Sequence, residues 1–211
     1  NFHVFYQLSA TANKDDAWRL PPSPATTCTY LKQGGVPSLA SMDDGKEFDN
    51  VSEALRALGV SDDDVKHVFA LVAGLTHLGD VLFEFAVGDD GGGSNVENRT
   101  ILDRAASLCG LDADKLLQAV TQRTVTARSE SYTVRLVPQD ACQARDAVAK
   151  ALYGRLFAWL VRAINKGIQK NDFKKAASIG VLDIFGFECF ATNSFEQLCI
   201  NYTNETLQQQ F

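Results

Sequence analysis

Apolar residues recur at helical spacing in two neighbouring segments of the chain. The first segment ends at Gly59, a residue that favours a helix stop, and the second begins at Ser61, which can cap the first turn with Asp64 three residues on. The recurring apolar positions are Phe48, Val51, Leu55 and Leu58 in the first segment, and Val65, Val68, Phe69 and Val72 in the second. The pattern predicts two amphipathic helices joined by a short turn.

A longer helical pattern runs from about Gln139 to Gln169, and a different pattern precedes it. In TVTARSESYTVRLV, polar and β-branched residues alternate until Pro138, which predicts a two-stranded ribbon that projects from the body. The apolar stripe of the long helix consists of Ala144, Val148, Leu152, Leu156, Leu160 and Ile164. Such a helix can carry strain across a molecule or can be a core helix without a mechanical role, and periodicity leaves both interpretations open.

Shorter patterns fill the remaining segments. NFHVFYQLSA is typical of the end of an amphipathic helix, and residues 11–45 are rich in Pro, Gly, Ser, Thr and Asp, which predicts a loop. VLFEFAV has strand composition and is followed by the loop GDDGGGSN. Two short helices are predicted around ILDRAASLCG and DADKLLQAVTQ. The chain is therefore expected to be mostly helical.

The segment IGVLDIFGFE combines an apolar run with two acidic residues. IGVLDIF has strand length and is nearly continuous in apolar residues, which is typical of a strand buried on both faces of a parallel sheet. Asp183 lies where that strand would end, and ligands of open α/β sheets bind at the carboxyl ends of strands. Nucleotide hydrolases use such an acid to hold Mg²⁺, directly or through water, although a turn or cap acid can occupy the same place.

Gly186 and Glu188 strengthen the nucleotide interpretation. Gly186 has no Cβ, so its backbone can approach a phosphate closely and donate an N–H to it, while the flanking phenylalanines turn into the core. Glu188 can accept an arginine or polarise a water molecule. A glycine-containing turn with an exposed acid would use the same residues, so that interpretation also stays open.

Composition and charge narrow the function classes. The 211 residues are 45% apolar, which is enough for one large domain or two small ones. A formal charge of −6 argues against a nucleic-acid binder, which needs a basic face. The five cysteines contain no CxxC pair, as in a reduced intracellular protein, and no apolar run approaches the roughly 20 residues that span a bilayer. The first residue is not Met, which favours an excerpt from a longer protein.

LDIFGFECFATNSFEQLCINYTNETLQQQF closely resembles the switch II segment and the start of the relay helix of the myosin motor domain. NFHVFYQL, ALRALGV, VAGLTHLGDVLFEF, AASLCGLD and QARDAVAKALYGRLFAWLVRAINKGI resemble further blocks of the same family, in the same order. The resemblance covers essentially the whole chain, and the number and order of the blocks argue against an unrelated nucleotide hydrolase.

The resemblance implies a fold class and two regions. The fold would be α/β and predominantly helical, a fragment of the P-loop NTPase-type myosin head with a buried switch II strand from the central sheet and a projecting β-ribbon. Residues 1–178 would form the upper actin-binding subdomain, and residues 179–211 the switch II strand and the start of the relay helix. Ser194 and Gln197 have the spacing of a capping box at the start of that helix.

The resemblance also implies roles for the residues after the apolar run. Asp183 would lie near the Mg²⁺ of bound ATP, through a water molecule, and Asp183, Ile184, Phe185 and Gly186 would contact the nucleotide. Gly186 would donate its N–H to the γ-phosphate. Glu188 would pair with an arginine of switch I and help to order the attacking water. ATP and Mg²⁺ are thus the implied cofactors.

The predicted ribbon resembles the actin-contacting loop of the myosin upper subdomain. Arg128, Glu130 and Tyr132 are the implied contact residues. In the family a site sixteen residues before the aspartate that matches Asp146 is acidic or a phosphorylatable Ser or Thr, and Glu130 occupies that site. Serines flank it on both sides, so a register shift of one residue would reverse the inference. Without the family, Glu130 is simply a solvated charge in a hairpin.

The implied function is part of an actin-based motor that couples Mg-ATP hydrolysis to movement along actin filaments, in the cytoplasm and actin cytoskeleton. Switch II would sense the γ-phosphate and drive the relay helix. The sequence contains neither a P-loop nor switch I, so these residues alone are not expected to hydrolyse ATP. The alternative is a non-catalytic, motor-derived module that binds actin or another protein. Light chains or calmodulin would bind regions outside these residues, and neither nucleic acid nor a transmembrane segment is expected.

Overall fold

The computed structural model describes residues 2–12, 16–86, 92–127, 130–169 and 179–210. The chain divides into two compact units, Asn1–Gln169 and Lys170–Phe211. The first unit contains α1 (His3–Ser9), a 3-10 turn (Asp16–Trp18), α2 (Pro24–Thr27), α3 (Thr29–Lys32), α4 (Asp44–Ala57), α5 (Asp62–Gly79), β1 (Phe83–Phe85), β2 (Ser94–Val96), α6 (Arg99–Leu108), α7 (Ala113–Thr121), β3 (Gln122–Ala127), β4 (Glu130–Arg135) and α8 (Pro138–Ile168). The second contains α9 (Phe195–Gln208).

Helix α5 forms the centre of the first unit. It begins as predicted, because Ser61 Oγ accepts a hydrogen bond from Asp64 N at 3.1 Å. Its N-terminal half packs with α1, α4 and Leu156 of α8, and its C-terminal half packs with α6, α7 and Ala149 of α8. All four predicted stripe residues of α5 are buried. The helical periodicity therefore identified the core face of this helix.

The segment between α1 and α4 is more ordered than the sequence predicts. Three short helical turns occupy part of residues 11–45, which the composition predicts to be a loop. Two long-range contacts hold this segment on the C-terminal end of α5: Thr29 N donates to Asp80 Oδ1 at 2.7 Å, and His77 Nε2 lies 3.0 Å from Trp18 O. Burial lowers the pKa of His77, so the neutral ring donates its N–H to this carbonyl. Tertiary contacts explain the added order.

Both β elements are antiparallel hairpins. In the first, Phe83 pairs with Val96, and the predicted loop after VLFEFAV falls partly outside the described residues. In the second, the predicted ribbon is confirmed, with Gln122 opposite Arg135 and Ala127 opposite Glu130. The ribbon ends where Pro138 occupies the first turn of α8.

Helix α8 has nearly the predicted bounds, but its predicted stripe is buried unevenly. Ala141 and Ala149 are buried near the N-terminal end, Leu156 is buried in the middle, and Ile164 of the predicted stripe is 37% exposed. A charged side chain that the periodicity did not select is also buried. Arg145 is 7% exposed, and its guanidinium donates to Gly79 O at 3.1 Å and Val81 O at 2.8 Å.

The predicted buried strand at IGVLDIF is wrong for the described structure. Residues 179–190 have no strand, and Ile179 and Val181 are 95% and 92% exposed. A strand needs neighbours to pair its backbone N–H and C=O groups. Among the described residues, the only sheets are the two hairpins, and neither pairs with this segment. The parallel sheet that the apolar run favours is therefore not present in this part of the chain.

A close contact at the end of α5 gives a test of the packing. A Cβ at Gly79 would lie 2.6 Å from a carbon of the Tyr30 ring, and Tyr30 is held by its hydroxyl, which donates to Asp146 Oδ1 at 2.5 Å. We expect Gly79→Ala to lower the free energy of unfolding by about 1–3 kcal/mol, because the ring has to move out of a packed position. Urea unfolding followed by far-UV circular dichroism measures the change.

Gly154 of α8 provides the matched control. A Cβ at Gly154 would meet no heavy atom of the described residues within 4 Å. Because alanine favours helix more than glycine, Gly154→Ala should raise the free energy of unfolding by about 1 kcal/mol. If the two alanine variants shift stability in the same direction, the close packing of Gly79 under Tyr30 is not a determinant of stability.

Candidate functional site

Two asparagine side chains of α9 hold the segment that follows Asp183. Asn201 Oδ1 accepts from Glu188 N at 2.8 Å, and Asn201 Nδ2 donates to Glu188 O at 2.8 Å. The amide thus pairs with both backbone groups of one residue, as a neighbouring strand would. Asn204 Nδ2 donates to Gly186 O at 2.8 Å. Since Asn201 and Asn204 are three residues apart, they lie on the same face of the helix.

The turn into α9 is closed by further local hydrogen bonds. Asn193 Oδ1 accepts from Phe190 N at 2.9 Å, and Asn193 Nδ2 donates to Phe190 O at 2.7 Å. Ser194 is the N-cap of α9, and its backbone N–H donates to Gln197 Oε1 at 2.8 Å, as in the predicted capping box. Residues 186–194 are therefore held in place by the side-chain amides of Asn193, Asn201 and Asn204.

Gly186 is held on one side and open on the other. Its carbonyl oxygen accepts from Asn204, whereas no hydrogen bond recorded for the described residues uses its N–H. A Cβ at this position would meet no described heavy atom within 4 Å. Gly186 therefore has an N–H that no described acceptor uses, and it has no side chain that could block a ligand.

The structure does not gather all the predicted nucleotide-contacting residues. Asp183, Ile184 and Phe185 are exposed, and Asp183 has no recorded hydrogen bond or ion pair within the described ranges. Glu188 is half-buried, and its backbone is fixed by Asn201. No group of three or more His, Cys, Asp or Glu side chains that could hold a metal ion occurs in the described part of the chain. One exposed carboxylate suits outer contact to a hydrated cation, as Mg²⁺ keeps several waters.

The ribbon residues are only partly described. Arg128 lies outside the described residues, as does the side chain of Glu130, whose backbone pairs with Ala127. Tyr132 is described, is 53% exposed and lies opposite Val125. Glu130 and Tyr132 are two positions apart along β4.

The sequence analysis did not identify Asn201 and Asn204 as functional residues. A signal was present in INYTNE, because asparagine is disfavoured in helix interiors and two occur here at a spacing of three residues. That spacing does not predict which backbone groups the two asparagines bind, because the choice depends on how the preceding segment folds onto α9.

No helix among the described residues is both long and apolar enough to cross a membrane. The five cysteines are free, and Cys28 is buried. Burial and the neighbouring Asp80 raise the pKa of the Cys28 thiol to about 12, so it stays protonated. This thiol therefore adds no nucleophile to the candidate site.

Comparison with known proteins gives the same family over the whole length. The family model described as Myosin head (motor domain) matches residues 1–211. The chain is 40% identical over 211 residues to unconventional myosin heavy chain 6 of Caenorhabditis elegans, covering 100% of this chain and 10% of that protein. It is 40% identical to unconventional myosin-Va of Gallus gallus, covering 100% and 11%, and 39% identical over 214 residues to unconventional myosin IC of Drosophila melanogaster, covering 100% and 20%. The chain thus spans between a tenth and a fifth of these relatives.

The contacts of Asn201 can be tested by backbone hydrogen exchange. We expect Asn201→Ala to speed exchange at Glu188 N–H by about three- to tenfold, since one net hydrogen bond is lost, and to leave exchange at Phe190 N–H nearly unchanged. Asn193→Ala is the matched control and should do the reverse. Exchange measured residue by residue by NMR separates the two. If both variants speed exchange at both positions equally, the segment is loosened as a whole and the specific pairing is incorrect.

Proposed function

This chain belongs to the myosin head (motor domain) family, and we propose that it is part of an actin-based motor that couples Mg-ATP hydrolysis to movement along actin filaments. In this proposal residues 1–178 form the upper actin-binding subdomain, and residues 179–211 form switch II and the start of the relay helix. The observation that carries the proposal is the way α9 holds Gly186 and Glu188 through Asn204 and Asn201.

The two backbone polar groups of Gly186 suggest how a phosphate signal would reach the helix. In this proposal the N–H of Gly186 donates to the γ-phosphate, while Gly186 O accepts from Asn204 Nδ2. A displacement of Gly186 toward phosphate would therefore pull on a side chain of α9. Ligand binding then biases one of two positions of the helix, which is how a switch segment drives a mechanical element.

Glu188 and Asp183 complete the proposed site. The backbone N–H and C=O of Glu188 are both bound by Asn201. In the proposal its carboxylate accepts an arginine of switch I and orients a water molecule. Asp183 would hold the Mg²⁺ of ATP through water, with Ile184 and Phe185 beside the nucleotide. ATP and Mg²⁺ supply the reacting phosphoryl group and neutralise its charge when bound. The chain has no G-x-x-x-x-G-K-[ST] segment, so we expect no ATP turnover from these 211 residues alone.

The ribbon is proposed to contact actin through Arg128, Glu130 and Tyr132. The observations that support it are the antiparallel pairing of β3 with β4 and the exposure of Tyr132. Light chains or calmodulin would bind elsewhere in the protein that contains this chain. That protein would act in the cytoplasm, on the actin cytoskeleton.

One observation favours a second function, a non-catalytic module that binds actin or another protein. The ribbon belongs to the first unit, whereas Asp183, Gly186 and Glu188 all belong to the second. Actin binding by the ribbon therefore needs none of the proposed nucleotide-contacting residues of this chain. Cosedimentation with actin, with and without ATP, separates the two functions: a motor releases actin in ATP, and a passive module stays bound.

Gly186→Ala tests the phosphate-sensing role in the motor protein that contains this chain. A methyl group has room in the present structure, so folding should be unaffected, but it would crowd the approach of the phosphate. We expect steady-state ATP turnover to fall by about a hundredfold, as when one preorganised donor is removed. Gly180→Ala also has room and lies outside the proposed site, so it should leave turnover nearly unchanged. Unchanged turnover in Gly186→Ala would remove the assignment.

Glu130→Ala tests the ribbon in the same motor protein. We expect the actin concentration needed for half-maximal activation to rise about two- to fivefold, the range of an exposed ion pair, and basal ATP turnover to stay the same. Ser131→Ala, one residue along the strand and on its other face, is the matched control. Equal loss of basal and actin-activated turnover would contradict the actin-contact role. A larger effect of Ser131→Ala would show that the register is shifted by one residue.

A further inference from the structure

Three basic side chains line a groove along the C-terminal half of α8, which we call the basic groove. The groove consists of two cavities, of about 350 and 500 Å³, that share Asp64 and Trp159 in their walls. Arg155 lines the first cavity, and Arg162 and Lys166 line the second. The other wall comes from α5 and from the turn between α4 and α5. All of these residues belong to the first unit.

The three cations and Trp159 form one stripe of α8. Positions 155, 159, 162 and 166 recur at helical spacing, so these side chains lie along one side of the helix. The stripe is about 16 Å long, because an α-helix rises about 1.5 Å per residue. From Ala147 to Gln169 the helix contains basic residues and no acidic one, although the whole chain has a formal charge of −6. The stripe is therefore a local concentration of positive charge on an acidic protein.

The donors of this stripe have no acceptor in the described part of the chain. Arg155, Arg162 and Lys166 are exposed, and none of them forms a recorded hydrogen bond or ion pair there. The indole N–H of Trp159 also has no recorded partner, although the residue is half-buried. Tryptophan N–H groups usually find an acceptor when the ring is buried. The acceptors for these four side chains therefore have to come from water or from a partner.

The acidic residues at the start of α5 do not balance this charge. Asp64 is the one acid of the groove lining, and its Oδ2 accepts a hydrogen bond from the Ser61 hydroxyl at 2.7 Å. Asp62 and Asp63 are not part of the lining, and each forms an ion pair with a basic residue of its own region, at 2.6 and 3.7 Å. The lining thus contains three cations and one carboxylate. This excess of positive charge favours an acidic partner.

Apolar side chains line the first cavity beside Arg155. Val68 of α5 and Leu156 of α8 are 7% and 9% exposed, and Leu71 and Leu152 are partly buried next to them. A partner can therefore bury apolar surface in the groove as well as pair its charges. Tryptophan and arginine are also the residues that most often dominate the binding energy of interfaces. A solvated charged face of a helix needs neither a cavity nor a tryptophan in its stripe.

We propose that the basic groove binds an acidic peptide segment of a second protein. The segment lies extended along α8, its carboxylates accept from Arg155, Arg162 and Lys166, and one apolar side chain packs on Trp159. About five residues span the stripe, since an extended chain advances about 3.3 Å per residue. A membrane or a nucleic-acid duplex would need a broad basic face, whereas the cations here form a single narrow stripe.

This surface is separate from the ribbon. The ribbon joins α8 at Pro138, and Arg155 lies about 25 Å further along the helix, at about 1.5 Å per residue. The inference therefore does not depend on the proposed motor function or on the proposed contact between the ribbon and actin.

Titration of the full 211-residue chain with a seven-residue peptide, six glutamates around a central leucine, tests the proposal. We expect saturable binding by calorimetry that weakens as NaCl is raised, because salt screens exposed charges. Arg155→Gln, Arg162→Gln and Lys166→Gln should each weaken binding by about two- to fivefold, the range of an exposed ion pair. Tryptophan emission should change on binding, and this change should be lost in Trp159→Phe.

Matched controls remove the same charge elsewhere in the first unit. Lys115→Gln of α7 and Arg123→Gln of β3 lie outside the groove lining and should leave binding within about twofold, since distant exposed charges are screened. Circular dichroism of every variant verifies that the fold persists. Equal weakening by the control variants, or unchanged tryptophan emission at saturation, would overturn the proposal. Tighter binding of oligothymidine or of phosphatidylserine vesicles than of the glutamate peptide would overturn it as well.

Discussion

The buried guanidinium of Arg145 is the constraint on which the arrangement of the first unit depends. It donates to Gly79 O and Val81 O at the end of α5 and to Asp146 Oδ1, which also accepts from the Tyr30 hydroxyl. Burial and the hydrogen bond to Asp146 raise the pKa of Tyr30, so its hydroxyl remains a donor. Carbonyl groups past a helix end need partners, and here one cation on α8 satisfies two of them. Removing it would leave buried groups unpaired.

A buried backbone contact fixes the base of the ribbon. β4 continues into α8 across Leu136, which is buried and whose N–H donates to Thr121 O at 2.8 Å at the end of α7. Both ends of the ribbon are thus fixed to helices that pack on α5. The exposed strands project from this base. The ribbon is proposed to bind a partner. Its position is therefore set by buried polar contacts between residues that are separated in the sequence.

The second unit uses side-chain amides where a sheet would use strands. An apolar segment in isolation has no partner for its backbone, and in the described structure Asn201 and Asn204 supply three hydrogen bonds to residues 186 and 188. Ile179 and Val181, which come before these contacts, are almost fully exposed. The segment before α9 therefore has an exposed first part and a second part whose backbone is hydrogen-bonded to the helix. The second part carries the proposed switch.

The sequence by itself determined the longer helices and the ribbon, because these depend on residues close together in the chain. Ser61 caps α5 by accepting a hydrogen bond from Asp64 N, three residues on, and Gly59 has a positive φ just after α4. The alternation in residues 124–137 predicts the hairpin. The sequence also determined the family, through the order of its motifs. The tertiary structure alone decided that IGVLDIF is not a strand here and that Arg145 is buried. Each of these depends on groups that are distant in sequence, such as Arg145 and Val81, 64 residues apart, and no local pattern specifies which of them meet.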